Sequence, residues 1–402
     1  MGGTMRRLWA GVVLLAVTGA SAGAASGDLL WSEARVAGSA QEIAAGAGAL
    51  AVFAQHPTGT AYTIRVYDPA TGSLRRSFAR QRWIADVLVR GGLIVVSEGS
   101  DLVAIHRRSG RERWRVPLGG SASLVGAGAR IFAATENGVL TAHALRTGKV
   151  LWTNDDGPVS KFVVRYGRIA AAGTRQGTGQ IPRLVVRLLS GRTGAEVWSA
   201  EETFDSARGA DGRCITWADS RILVGGRVIR DYPPPDGDYY DDSLVVAYDA
   251  TSGRRLWLDE VSAAADRAVV GLATREEQSF ALISRSSGSS YDAKAYDART
   301  GQQLWDTGPE PFFMDGDVSG PLVAGDTVVF GADAFGVPSG FLTTALASAN
   351  GAVAWEAAAQ AGSTTSYARD IATDGSRLFV AGSALDANAT APTFAVWAYS
   401  LD

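Results

Sequence analysis

The densest group of chemistry-bearing side chains is RDYPPPDGDYYDDS, Arg230 to Ser243. It holds Asp231, Asp236, Asp238, Asp241 and Asp242 among three Pro and three Tyr. A calcium ion takes about six to eight oxygen ligands. Asp236, Asp238, Asp241 and Asp242 are the candidates to supply several of them. The spacing departs from the EF-hand loop and no Glu closes it, so a solvated acidic loop is the simpler reading. The same stretch also suits a protein partner. Asp231, Tyr232, Tyr239 and Tyr240 offer charge and aromatic area at low cost in side-chain entropy.

Elsewhere the sequence offers little chemistry. The three His, at 56, 106 and 143, have no metal-ligand spacing, and surface or structural imidazoles are expected. Cys214 is the only cysteine. It lies in the apolar run CITWA, which suits a buried inert thiol, and one cysteine excludes an intramolecular disulfide. No G-x-S-x-G elbow precedes a helix. The Gly-rich stretches GAGA and GTRQGTGQ lead into no helix N-terminus that would hold a phosphate, so they read as turns. The catalytic set is therefore empty.

The elements that must carry these residues are short strands. The chain has 402 residues, 46% of them apolar, and 48 are Gly. Gly on that scale, without a collagen period, marks many tight turns. The first 25 residues read as a signal peptide. Arg6 and Arg7 precede the apolar run Leu8–Val17, and small residues at 22–25 offer cleavage sites. That run is too short to span a bilayer, and no Cys follows it for lipid attachment. An exported, periplasmic or secreted soluble chain covering residues 26–402 is expected. Loss of the leader removes two Arg and no acid, moving the net charge from −3 to −5. That balance argues against nucleic-acid partners.

A Gly followed four residues later by Trp recurs along the chain. The pairs are Gly27 and Trp31, Gly110 and Trp114, Gly148 and Trp152, Gly194 and Trp198, Gly253 and Trp257, Gly301 and Trp305, Gly351 and Trp355. An eighth copy keeps Gly72 but has Arg76 at the Trp position, with Phe78 as a possible substitute. Neighbouring copies lie 38 to 59 residues apart, which fits four-stranded propeller blades. The third and fourth strands of each blade should meet at the Gly turn. The Trp should then pack on the Gly peptide of a neighbouring repeat. The C-terminal TFAVWAYSLD stops after a third strand, and SGDLLW near the N-terminus supplies the missing fourth. The prediction is an all-β, eight-bladed β-propeller of four-stranded antiparallel blades, a single domain closed by pairing of the N- and C-terminal strands.

The fullest copy, AYDARTGQQLW (Ala295 to Trp305), resembles the tryptophan-docking motif of the PQQ-like, or quinoprotein-type, β-propeller family. Its shorter, non-catalytic, BamB-like branch fits best. That resemblance implies a monomeric, non-enzymatic scaffold that binds a protein partner in the envelope or outside the cell, with no cofactor. The runner-up within the family is an oxidoreductase dependent on PQQ and calcium. The adjacent cysteines typical of that branch are impossible with a single Cys. The connections between second and third strands are short in blades two and three and longer in the others, the acidic stretch being longest. Equivalent connections emerge on one face, a pattern that suits either a binding face or neutral drift in exposed loops, which tolerate insertion cheaply.

Overall fold

A computed structural model of the protein describes residues 24–176, 181–205, 207–231, 239–261, 266–285, 290–308, 314–334, 340–359, 365–385 and 392–401. Over these residues every regular element is a strand, and the strands form eight four-stranded antiparallel sheets. Blades one to seven span 39–80, 84–117, 122–154, 161–202, 207–261, 267–306 and 314–359. Blade eight combines three strands from 365–400 with the N-terminal strand Leu29–Ala37. The first strand of each blade packs on the first strand of the next, and that of blade eight packs on that of blade one. The innermost strands thus close a ring around an axis, as predicted.

The burial pattern explains the composition. Second strands such as Leu93–Glu98 are buried at every position because each sheet is covered by a neighbour on both faces. Phe53 and Ile64 of blade one pack with Ile94 and Val103 of blade two, and Phe379 and Phe394 of blade eight pack with Leu50 and Val52 of blade one. Outer strands alternate instead. In Glu112–Pro117 the Trp114 face turns inward and the other residues stay in water.

The docking joints run all the way round. A Cβ placed on Gly72, Gly148, Gly194, Gly253, Gly301, Gly351 or Gly27 would lie 2.5–2.8 Å from the indole of Trp31, Trp114, Trp152, Trp198, Trp257, Trp305 or Trp355 respectively. Each of these glycines has φ between +68° and +87°, which L side chains rarely adopt. In six joints the indole Nε1 also donates to the carbonyl three residues before the glycine, at 2.8–3.3 Å. The Nε1 of Trp355 is buried without such a partner. On Gly110 the aromatic is Phe78, as the sequence suggested, while Arg76 occupies the register of the missing indole opposite Val66.

Ring closure reproduces an internal turn across the chain ends. Within blade six, Asp297 N donates to Gln302 O and Gly301 N donates to Asp297 O, at 2.9 and 2.8 Å. In blade eight, Ser400 N donates to Asp28 O and Gly27 N to Ser400 O, both at 2.9 Å. Trp31 faces Ala398 as Trp305 faces Ala295. The termini therefore meet with the hydrogen bonds that a continuous chain makes elsewhere.

Candidate functional site

Two regions can carry function: the face bearing the connections between second and third strands, and the axis. On the face, blade five stands highest. Its second and third strands, Arg221–Asp231 and Tyr239–Asp249, have eleven residues each, against six and five in blade three. Both hairpins start in the same register beside the Gly turn, so blade five extends about five residues further, roughly 16 Å at the strand rise. An extension above the apolar core must be held by polar contacts. Arg230 Nε donates to Asp242 at 2.6 Å, and Arg230 also pairs with Glu260. Arg227 donates to Asp211 at 3.0 Å and pairs with Asp241, and Arg208 pairs with Asp231. The charges of Asp242 and Glu260 help hold the Arg230 guanidinium charged against the cost of its burial.

This placement bears on the sequence candidates. Asp231, Asp241 and Asp242 lie on strands and are matched by arginines rather than gathered in a loop. Asp241 and Asp242 are consecutive, so they point to opposite faces of the sheet. Asp242 is fully buried. Tyr232, Asp236 and Asp238 lie outside the described residues. Tyr239 opens the third strand, and Tyr240 follows opposite Arg230. Among the described residues no three His, Cys, Asp or Glu side chains are placed to share a metal ion.

The other singled-out residues take structural places. His143 is buried, with Nδ1 against Gly148 O at 3.1 Å and Nε2 against Thr141 Oγ1 at 2.9 Å, and burial lowers its pKa. His106 and His56 contact local hydroxyls of Ser109 and Thr58. Burial pushes the Cys214 thiol up to about 12, which keeps it un-ionised and unreactive.

The axis holds carboxyl groups that sequence reasoning missed. Glu42, Asp86 and Asp370 sit on the first strands of blades one, two and eight, each at a register shift that turns the side chain. Asp370 accepts from Ile43 N at 2.9 Å, and Asp86 accepts from Leu124 N at 2.6 Å, so each links its blade to the next. Burial, then the charges of Asp370 and Asp86, push Glu42 far above the ordinary carboxyl range, and its carboxyl hydrogen-bonds Asp370. Burial also raises Asp370, and it raises Asp86 to about 7. The hydrogen bond between Glu42 and Asp370 raises the pKa of Glu42 and lowers that of Asp370, which favours the proton on Glu42. The signal lay in Glu42-Ile43, Asp86-Val87 and Asp370-Ile371: an acid before a β-branched residue in a first strand.

Comparisons place the chain among known proteins. BamB from Moraxella catarrhalis matches with 16% identity and a TM-score of 0.60, covering 91% of this chain and all of that one. The computationally designed Ika8 protein matches with 17% identity and a TM-score of 0.63, covering 93% and 100%. The quinohemoprotein alcohol dehydrogenase ADHIIG from Pseudomonas putida HK5 matches with 14% identity and a TM-score of 0.59, covering 93% of this chain and 76% of the enzyme. These likenesses show the fold. No curated protein sequence matches the chain. Among the described residues no helix is long and apolar enough to cross a membrane. The family model described as outer membrane protein assembly factor BamB matches residues 21–181 and 182–396, so the chain belongs to the BamB-like family of PQQ-like propellers.

Proposed function

We propose that the protein is an exported, monomeric, non-enzymatic scaffold whose mature domain, residues 26–402, binds a protein partner in the cell envelope or outside the cell. The observation that carries this reading is the blade-five hairpin. It extends about five residues beyond that of blade three and is braced by five arginine–carboxylate pairs, through Arg208, Arg227 and Arg230. A stiff, raised hairpin presents side chains and backbone to a partner without a large ordering cost. Membership of a family named for an outer membrane assembly factor supports a protein as the partner. The Arg–Asp pairing in the hairpin strands favours a bracing role for Asp241 and Asp242 over calcium binding.

The second reading, oxidation dependent on PQQ and calcium, has the fold of ADHIIG in its favour. Such a site needs an oxygen cage for the cation. The axial carboxyls Asp86 and Asp370 are committed to backbone amides, so we rank this reading second.

The test is cross-linking and capture from envelope and secreted fractions, with the mature protein beside a variant whose residues 232–238 are replaced by a short Gly-Ser turn. A partner captured by the parent and lost by an equally stable variant supports the scaffold. PQQ- and calcium-dependent dye reduction by the purified parent overturns it.

A further inference from the structure

The one joint that lacks its Trp has become a basic cleft. Where the indole of blade one would lie, Arg76 stands opposite Val66. Arg75, Arg76, Arg107 and Arg108 line an open cleft of about 490 Å³ with Val66 as its floor. Arg75 pairs with Asp68 and donates to Gly48 O at 2.8 Å. The other three pair with no carboxylate among the described residues. Arg76 donates to Arg108 O at 3.2 Å, and Arg107 donates to Ala47 O. The cleft thus gathers four guanidinium groups against one carboxylate.

The neighbouring arginines show how unusual this is. On the opposite face of the same two blades, Arg80, Arg82 and Arg115 are matched by Glu98, Asp101 and Glu112. The imbalance is also regional. Residues 62–117 carry eleven Arg and five acids, a net +6, in a chain whose net charge is −3. Burial, followed by the charges of Arg75 and Arg108, lowers the pKa of Arg107. The groups repel one another in the free protein, and an incoming anion relieves the repulsion that Asp68 leaves.

We propose that this cleft is a binding site for a phosphate group carrying two or more negative charges, either free or displayed on a lipid headgroup. Guanidinium forks match the oxygens of a phosphate two at a time. Three unmatched cations exceed what a single carboxylate can neutralise. The glycine turns of the third and fourth strands and the turn at Ala47 and Gly48 place the cleft on the face opposite the raised blade-five hairpin. A ligand here therefore leaves the proposed partner face free, and the site does not depend on the scaffold reading.

The experiment uses the mature protein and the double variant Arg107→Gln, Arg108→Gln, with thermal melting as the check on folding. Calorimetry with inorganic pyrophosphate tests the free ligand. Co-sedimentation with phosphatidylcholine vesicles, with and without phosphatidic acid, tests the headgroup. Saturable pyrophosphate binding that weakens about tenfold or more in an equally stable variant supports a site for a free phosphate. Binding only to phosphatidic acid vesicles, lost in the variant and in high salt, supports the headgroup source. Absence of binding in both arms, or equal binding by the variant, overturns the proposal.

Discussion

Ring closure is the feature most open to a quantitative test, through Trp31→Ala. The Trp31 indole covers Gly72, stacks on Tyr67 at 6.2 Å and 27°, lies 6.1 Å from Phe379, and donates to Pro69 O at 3.0 Å. Truncating a packed aromatic costs about 3–5 kcal/mol, of which the lost hydrogen bond is about 1 kcal/mol. Trp31 keeps some solvent exposure, so roughly 3 kcal/mol is expected. The proper reference is Trp152→Ala, an interior joint, where the indole covers Gly194, lies 5.9 Å from Phe132 and donates to Gly191 O at 3.3 Å. In a closed ring the two variants lose alike. At about 2.1 cal/mol/K of unfolding entropy per residue, 3 kcal/mol lowers the Tm of a chain this size by about 4 °C if the ring unfolds as one unit. Scanning calorimetry of residues 26–402 reads this directly. If Trp152→Ala lowers the Tm and Trp31→Ala leaves it unchanged, the N-terminal strand is not holding the ring. Deleting Leu29–Ala37 goes further. It bares the edge of Thr393–Ser400 and should produce concentration-dependent association in light scattering.

Two further predictions follow from single sites. Gly301→Ala should cost about 2–4 kcal/mol in urea unfolding, because its Cβ would meet Trp257 at 2.6 Å at φ +76°, whereas Gly128→Ala, at φ +58° with open space around it, should lose only the strain of about 1 kcal/mol; equal losses would show that the indole contact adds nothing. Glu42 has a raised folded pKa, so the unfolded chain releases this proton first, near 4.5, and stability falls as pH rises from there toward the folded pKa. Glu42→Gln should flatten that slope. Even half the shift makes the variant gain roughly 2 kcal/mol on the parent between about pH 5 and about pH 8, and parallel urea midpoints at the two pH values would rule the cluster out as the cause.

Legibility in the sequence followed repetition. The eight Gly turns and their aromatic partners were readable because one steric requirement recurs in each blade: a left-handed glycine under a flat ring. Ser400 and Asp28 could be matched to an internal turn for the same reason. In blade three the apolar run from Val139 to Leu145 exceeds the observed strand Leu140–Ala144, since turn residues extend an apolar pattern without joining the ladder. The sites were harder to read. Asp241 and Asp242 looked like loop ligands because the arginines that match them, Arg227 and Arg230, precede a Pro-rich segment that obscures the hairpin. Glu42 and Asp370 lie 328 positions apart, and only ring closure makes them neighbours. The four arginines of the cleft come from the outer strand Leu74–Arg80 of one blade and the turn after Asp101–His106 of the next, whose proximity depends on blade order.

Repetition also gives its exceptions meaning. Each blade is held to the next by the same aromatic-on-glycine contact, so a blade can lose that contact only if something else covers the glycine. Blade one retains coverage through Phe78, two residues beyond the usual position, which leaves the position of Arg76 free of the structural requirement. A residue released from packing can be charged at little cost to the fold. Four converging guanidinium groups are nevertheless electrostatically unfavourable in the free protein, and their hydrogen bonds to the carbonyls of Gly48, Arg108 and Ala47 leave that charge unmatched except at Asp68. Blade five shows the same logic on the other face. Its hairpin exceeds what the ring needs, and its extra length is held by ion pairs that the shorter hairpin of blade three does without. Function in this protein is therefore to be sought where a blade departs from its neighbours, and the Arg75–Arg108 cleft and the blade-five hairpin are two departures that the joints do not require.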